Sequence, residues 1–387
     1  MLDDINSSEV LDVLKNARLI KVYDGRLRAS ERFVYYFFVA KYFYQKMHSD
    51  KIIREDISLM CKRLDIEEYA GIIMFLTHLS KDNTILDLIV ENAQSQFFNV
   101  EPLNLQNDIG IINGFIDSVP QLVIDNVQSY QKNRNEVLKK ETEIERLYQD
   151  SISDKDIFEE EDYDDTNDSA EDISSFVPRV TRAFKTIEIL GQIVKKYWAQ
   201  LDGEQKIRLT TATYLLGLRV LAYWANLVQD NQNTLTSIIS SVILKKSNER
   251  NTLLRSEVEA IAKRILFQIS EASVYNVIKH ISKSIGYDEL FKVFESVNKK
   301  HDTFSTKLID ISIKLDYGKK LPYDDIEKYK EEFRKNYLCS IVLRDLAVNY
   351  AFMFKMSRIE RERMSALYDI PIKTLLLISG ESQIKQE

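Results

Sequence analysis

Apolar residues in this chain recur at helical spacing, and little interrupts them. Ile187, Leu190, Val194, Tyr197 and Leu201 step by 3, 4, 3 and 4, the period that puts them on one face of an α-helix. Only ten glycines and five prolines are spread over 387 residues, so few positions can break a helix or set a tight turn. The expected fold class is all-α: a multi-helix, irregular array of helical hairpins. No clean repeat period emerges, so a regular solenoid is not expected.

Punctuation places the elements. Helices are expected over 51–64, 65–80 and 84–98, the last opening on Thr84 as a cap. A long polar helix is expected over 121–149. A second block opens near Pro178. Asp202-Gly203 breaks its first helix, and GEQKIRLTTATYLLGLRVLAYWANLVQD returns as the second arm of an αα-hairpin. Further helices are expected over 234–246, 254–284, 286–299, 302–316, 323–356 with breaks, and 358–368.

One short stretch departs from this pattern. Leu11, Leu14 and Leu19 belong to a helix, and LIKVYDGRLR then alternates around Asp24-Gly25, a dipeptide that favours a type I′ hairpin turn. A helix followed by a hairpin is how a winged-helix module ends; the spacing fits a surface hairpin of no functional consequence equally well.

Ser30 is a suitable N-cap for the helix that follows. Eight of the twelve residues from Phe33 to Tyr44 are aromatic. Phe33, Phe37, Ala40, Tyr44 and Met47 form one stripe, and Tyr35, Phe38 and Tyr42 form a second on the far side. A helix apolar on two faces is expected to be clamped between neighbours, so this one is read as a central packing helix, with a partner-binding helix as the alternative. Lys41 interrupts the run, and Arg32 and Lys46 flank it, which argues against a membrane span. A base-stacking platform would interleave its aromatics with arginines on an exposed surface, and that pattern is not evident.

The net charge of −7 belongs to one segment. Asp154 to Asp172 holds eleven acids and one lysine, a local charge of −10, so the remainder sums to +3. A nearly neutral remainder gives no electrostatic case for nucleic acid. The expected organisation is a helix and hairpin over 1–30, a helical domain over 31–150, an acidic linker over 151–178 and a second helical domain over 179–387. Two distant cysteines, Cys61 and Cys339, point to a reducing cytoplasm. The polar, acidic start MLDDINSSEV does not resemble a secretory signal.

Motifs that carry chemistry are missing. Gly318-Lys319-Lys320 lacks the upstream glycine and the hydroxyl residue of a P-loop. No GxGxxG, HExxH or GxSxG occurs. The histidines at 48, 78, 280 and 301 are isolated, and His78, in an apolar helix, is expected to be a satisfied, semi-buried side chain. Arg358, Arg361 and Arg363 alternate with Glu360 and Glu362 as a mixed-charge face. No catalytic residue, metal or cofactor is expected.

The order of helix, hairpin DGRLRAS, aromatic helix RFVYYFFVAKYF and further helices resembles the region after the nucleotide-binding core of bacterial STAND NTPases. Phe33, Tyr36, Phe37, Phe38, Ala40, Tyr42 and Phe43 match the aromatic motif that such proteins carry after the wing. KTIEILGQIVKKYW (185–198), LLGLRVLAYW (215–224) and IMFLTHLSKDNTILDLI (73–89) are similar to other helices of that region. The P-loop, the Walker B acids and the N-terminal effector of the family are absent. The resemblance therefore implies a C-terminal part only, with those aromatic residues as a rigid coupler. It also implies a non-catalytic sensor that binds a protein partner and acts on an NTPase, in a setting such as antiphage defence. An oligomer is compatible with this. The alternatives from other classes are a nucleic-acid-binding helical protein and an enzyme with an unrecognised active site.

Overall fold

The computed structural model describes residues 7–23, 25–64, 66–80, 83–122, 129–136, 139, 173–246 and 254–379. All but two of the described regular elements are helices. The exceptions are β1 (Ile20–Tyr23) and β2 (Arg26–Ala29), an antiparallel pair in register Ile20 with Ala29 and Tyr23 with Arg26. Gly25 sits in the turn with φ of 72°, a backbone conformation that favours glycine and suits a two-residue hairpin. The hairpin follows α1 (Ser7–Asn16), as the alternation predicts.

Ser30 is not the cap of the next helix. Its N–H donates to the Leu19 carbonyl 2.9 Å away and closes the hairpin. Glu31 takes the N-cap position of α2 (Arg32–Lys46) without a side-chain cap bond. The next helices are α3 (Lys51–Lys62), α4 (Glu67–Ser80) and α5 (Asn83–Ser95). Asp50 caps α3 by accepting from the Ile52 N–H. α5 opens at Asn83, one residue before the expected Thr84 cap.

A short helix α6 (Gly110–Asn113) follows an irregular stretch through 101–109. In that stretch Leu103, Leu105 and Ile109 are buried. Buried irregular backbone needs partners for its polar groups. The Leu103 N–H donates to the Leu218 carbonyl at 3.1 Å. The Leu105 N–H donates to Ser305 Oγ at 3.1 Å, and its carbonyl accepts from Asn336 Nδ2 at 2.6 Å.

The second half opens with α7 (Ile173–Tyr197), which begins ahead of Pro178 rather than after it. α8 (Gly203–Asp230) completes the expected αα-hairpin. Asp202 and Gln205 form a reciprocal capping box there, which satisfies two N-terminal donors. Then come α9 (Gln232–Lys246), α10 (Arg255–Ile285), α11 (Phe291–His301), α12 (Phe304–Tyr317), α13 (Tyr323–Glu332), α14 (Tyr337–Met353), α15 (Arg358–Tyr368) and α16 (Ile372–Ile378). α16 was not anticipated from the sequence. The acidic segment and most of the polar helix expected over 121–149 lie outside the described residues.

One cluster of buried apolar side chains runs from Ala40 to Ile378. α4 and α5 pack on α7, and α5 also packs on α8, so helices from both halves contribute to it. α10 lies across α7, α8, α9, α12 and α14. The helix buried on all sides is α12, where Phe304 to Ile313 are buried without interruption. Each of Leu308, Ile309, Ile311 and Ile313, at 0% exposure, contributes about 1.5–3 kcal/mol by leaving water.

α12 also buries charge, and each charge is paired. Lys307 meets Glu332 and Asp302. Lys314 meets Asp310 at 2.8 Å and Asp325 at 2.9 Å. Burial works against the Lys314 ammonium, but the two carboxylates outweigh it and hold its pKa above the ordinary range.

Candidate interaction surface

The aromatic helix α2 is an edge element, not a central one. It packs chiefly on α4 and touches α3 and β2 less. Its covered face runs through Tyr36, Ala40, Phe43 and Met47, which step by four, three and four. Ala40, Phe43 and Met47 are buried, with Val34 on the flank. Tyr36 lies over Gly71 of α4 so closely that a Cβ there would stand 2.4 Å from the ring. Phe37 meets Phe75 edge-on at 5.8 Å.

The second stripe is open. Tyr35 is 45% exposed, Phe38 48% and Tyr42 51%. Phe33 and Tyr44, from the stripe expected inside, are exposed too. This corrects the expectation of a helix clamped on both sides. The physical reason is saturation: with aromatics on every face, apolar periodicity cannot say which face a neighbour covers. Of the residues in the aromatic motif, Ala40 and Phe43 are buried, Tyr36 and Phe37 half-buried, and Phe33, Phe38 and Tyr42 exposed.

Polar contacts set the tilt of α2. Arg32 pairs with Glu67 at 3.0 Å, and the Tyr35 hydroxyl donates to Glu68 Oε1 at 2.9 Å. Burial, together with that bond to a carboxylate, pushes the Tyr35 phenol up to about 12. The phenol therefore stays protonated and keeps donating at neutral pH.

Beside this helix the hairpin exposes Val22, Tyr23 and Leu27. Arg28 lies over the Tyr23 ring at 5.1 Å. Lys21, Arg26 and Arg28 on the hairpin, and Lys41 and Lys46 on α2, are exposed. By the strand register, Tyr23, Lys21, Arg26 and Arg28 share one face of the hairpin, which is aromatic and basic, and Val22 and Leu27 share the other. Sequence reasoning found the α2 residues but not Tyr23 or Leu27, although the alternation of IKVY and RLRA already placed them on one pleat side each.

No family model, curated protein or solved structure matches the chain.

Other chemistry-bearing groups are dispersed. Among the described residues no three His, Cys, Asp or Glu side chains gather as a metal site. No described helix is long and apolar enough to cross a membrane. His78 is exposed, contrary to expectation, with its ring 5.5 Å from that of Tyr197. His280 is half-buried, and its Nε2 lies 3.2 Å from the Phe184 carbonyl. Burial lowers its pKa, opposed by that bond. Cys61 and Cys339 are free and buried; burial pushes the Cys61 thiol up to about 12, which leaves it unreactive. The arrangement closest to acid–base chemistry is Glu271 beside Asp345. Burial, then the neighbouring Asp345, pushes the Glu271 carboxyl up to about 7. The two line a shallow groove with Tyr275 and Asn349.

Proposed function

We propose that this chain is a non-catalytic helical sensor or regulatory region that binds a protein partner through the aromatic face of α2 and the adjoining hairpin. One observation carries the reading: Tyr35, Phe38 and Tyr42, three aromatic rings at helical spacing, stand open to solvent along one helix face. Exposed contiguous aromatics are costly to leave uncovered and are favoured at the centres of protein interfaces. The surrounding Lys21, Arg26, Arg28, Lys41 and Lys46 select a partner segment that is apolar at its centre and acidic at its rim. By the motif resemblance that partner is the NTPase module of a STAND-type system, in the bacterial cytoplasm, with defence against phage as the setting. α2, bolted to α4 through Ala40, Phe43 and Tyr36, then passes contact at the surface to the core as a shift between packed states.

A second reading, nucleic-acid binding, draws on one specific feature: Arg28 stacked over Tyr23 on an exposed basic hairpin. Stacking and cationic groups side by side also suit single strands.

Photo-crosslinking separates these. p-Benzoylphenylalanine is placed at Phe38 in the full chain, with Ile359, 63% exposed on α15, as the control position. The expected result is a covalent adduct with an NTPase polypeptide at position 38 and none at 359. Nucleic-acid or lipid adducts at 38, identical adducts at both positions, or no adduct would overturn the docking reading.

A further inference from the structure

A cavity of about 260 Å³ lies between the turn after α5 and the helices α7 and α8. It is remote in sequence from the aromatic surface, and its chemistry is different. Arg179 and Arg182, three residues apart on α7 and so on one helix face, both line it. The Arg179 guanidinium carbon lies 4.8 Å from the Phe97 ring centre and 5.4 Å from the Tyr223 ring centre, a cation–π contact with both. Contact with ring faces does not consume the five N–H donors of a guanidinium, which form the fork that anions accept from.

The backbone under that contact is unusual. Phe97 is 4% exposed and adopts φ of 52°. A bulky residue in the left-handed region costs about 1–3 kcal/mol and persists only where the surroundings impose it. Phe97 also meets Tyr223 edge-on at 5.5 Å, so both rings are positioned from two sides.

Gln96 completes the wall. It is 6% exposed. Its Nε2 donates to Thr186 Oγ1 at 2.9 Å, and that hydroxyl in turn donates to the Arg182 carbonyl at 2.9 Å. The Thr186 proton is committed, so Gln96 must present N–H to it, and the amide orientation follows. Gln96 Oε1 is then left without a hydrogen-bond partner among the described residues. A buried acceptor in that state gains from a donor. Asp230, at the C-terminal end of α8, also lines the cavity.

We infer that this cavity binds a small phosphomonoester carrying hydroxyl groups, with the phosphoryl on Arg179 and Arg182 and the hydroxyls on Asp230 and Gln96. Two adjacent guanidinium groups match a dianionic phosphoryl group better than a single carboxylate. Asp230 and the carbonyl end of α8 repel a second anion and favour donors. Gln96 accepts from one such donor. The cavity size admits a compact molecule and not a folded domain. The inference is independent of the docking surface, so either can fail alone.

Calorimetry on the full chain tests it with three probes: ribose 5-phosphate, inorganic phosphate and ribose, all at matched ionic strength. Ribose 5-phosphate is expected to bind saturably, about tenfold or more tighter than ribose and several-fold tighter than inorganic phosphate. Arg179→Gln and Arg182→Gln each weaken it about tenfold or more; Arg182 is the decisive site if loss of the Arg179 ring contacts disturbs folding. Asp230→Asn tightens inorganic phosphate and narrows the preference for the ester. The inference is overturned by any of four results. These are no saturable heat up to about 10 mM ester, equal affinity for ribose, an Arg182→Gln protein that folds and binds like the parent, or an Asp230→Asn protein with an unchanged preference.

Discussion

Gly191 of α7 lies against Ser284 of α10 so closely that a Cβ on Gly191 would stand 2.2 Å from the Ser284 carbonyl oxygen. The obstacle is backbone, which cannot rotate away. Gly191→Ala is therefore expected to cost about 1–3 kcal/mol through forced separation of the two helices. Gly217→Ala is the comparison: its Cβ would first meet the tip of Ile281, at 2.5 Å, which can change rotamer. Urea melts of the two variants decide the matter, and equal losses would show that the helix crossing is not tight at Gly191.

Lys314 is the cation beside Asp310, whose side chain is 4% exposed. Lys314→Met leaves that carboxylate buried without its ammonium, at an expected cost of about 3–5 kcal/mol. Protonating Asp310 relieves the penalty, so the variant should regain stability relative to the parent as pH falls. A deficit independent of pH between about 4 and 7 would contradict this account.

Asn336 joins three segments. It caps α14 by accepting from the Cys339 N–H at 3.1 Å, donates to the Leu105 carbonyl at 2.6 Å, and accepts from Asn113 Nδ2 at 3.3 Å. Asn336→Ala removes a cap and leaves a buried carbonyl unpaired, so a loss of about 2–4 kcal/mol is expected. Ser340→Ala, which touches only the Phe333 carbonyl, should lose about 1 kcal/mol. Hydrogen exchange should rise at Cys339, whose N–H loses its acceptor, in the first variant and not in the second.

The Glu271 carboxyl, pushed up to about 7 by burial and by Asp345, makes stability depend on pH with a definite sign. Its folded value exceeds the unfolded one, so the folded chain binds more protons between about pH 4.5 and 7. Stability should fall as pH rises through that window. Partial exposure screens the effect to about 1 kcal/mol. Glu271→Gln should flatten the profile there; an unchanged slope in chemical denaturation would refute it.

On α2 the two faces should respond in opposite ways. Phe43→Ala empties a buried position and is expected to cost about 3–5 kcal/mol. Phe38→Ser, on the open face, should stay within about 0.5 kcal/mol of the parent. A large loss at Phe38 in thermal unfolding would mean that something covers this face in solution.

Local signals decided much of this architecture. Few glycines and prolines, with apolar residues at steps of three and four, dictate helices. The Asp202 cap and the hairpin at Gly25 are written in two or three residues each, because a cap or a turn satisfies its hydrogen bonds locally. Expected helices over 358–368 and 254–284 match α15 and α10 to within a residue.

Burial was another matter. The spacing of FSTKLIDISIKLDY predicts a helix over 302–316 and does not say which faces are covered, yet α12 is enclosed. Its charges are cancelled by Asp302, Glu332 and Asp325, which lie outside the helix. RFVYYFFVAKYFYQ reads as a central packing helix, yet α2 lies at the edge with five of its eight aromatics exposed. The candidate phosphoryl site draws Phe97, Arg179 and Tyr223 from separate stretches of chain, and no spacing connects them. A sequence specifies which conformation each segment prefers, because that preference is settled among neighbours along the chain. Which face is covered, and which charge finds a partner, is settled by segments far apart in sequence, and only the assembled core brings them together.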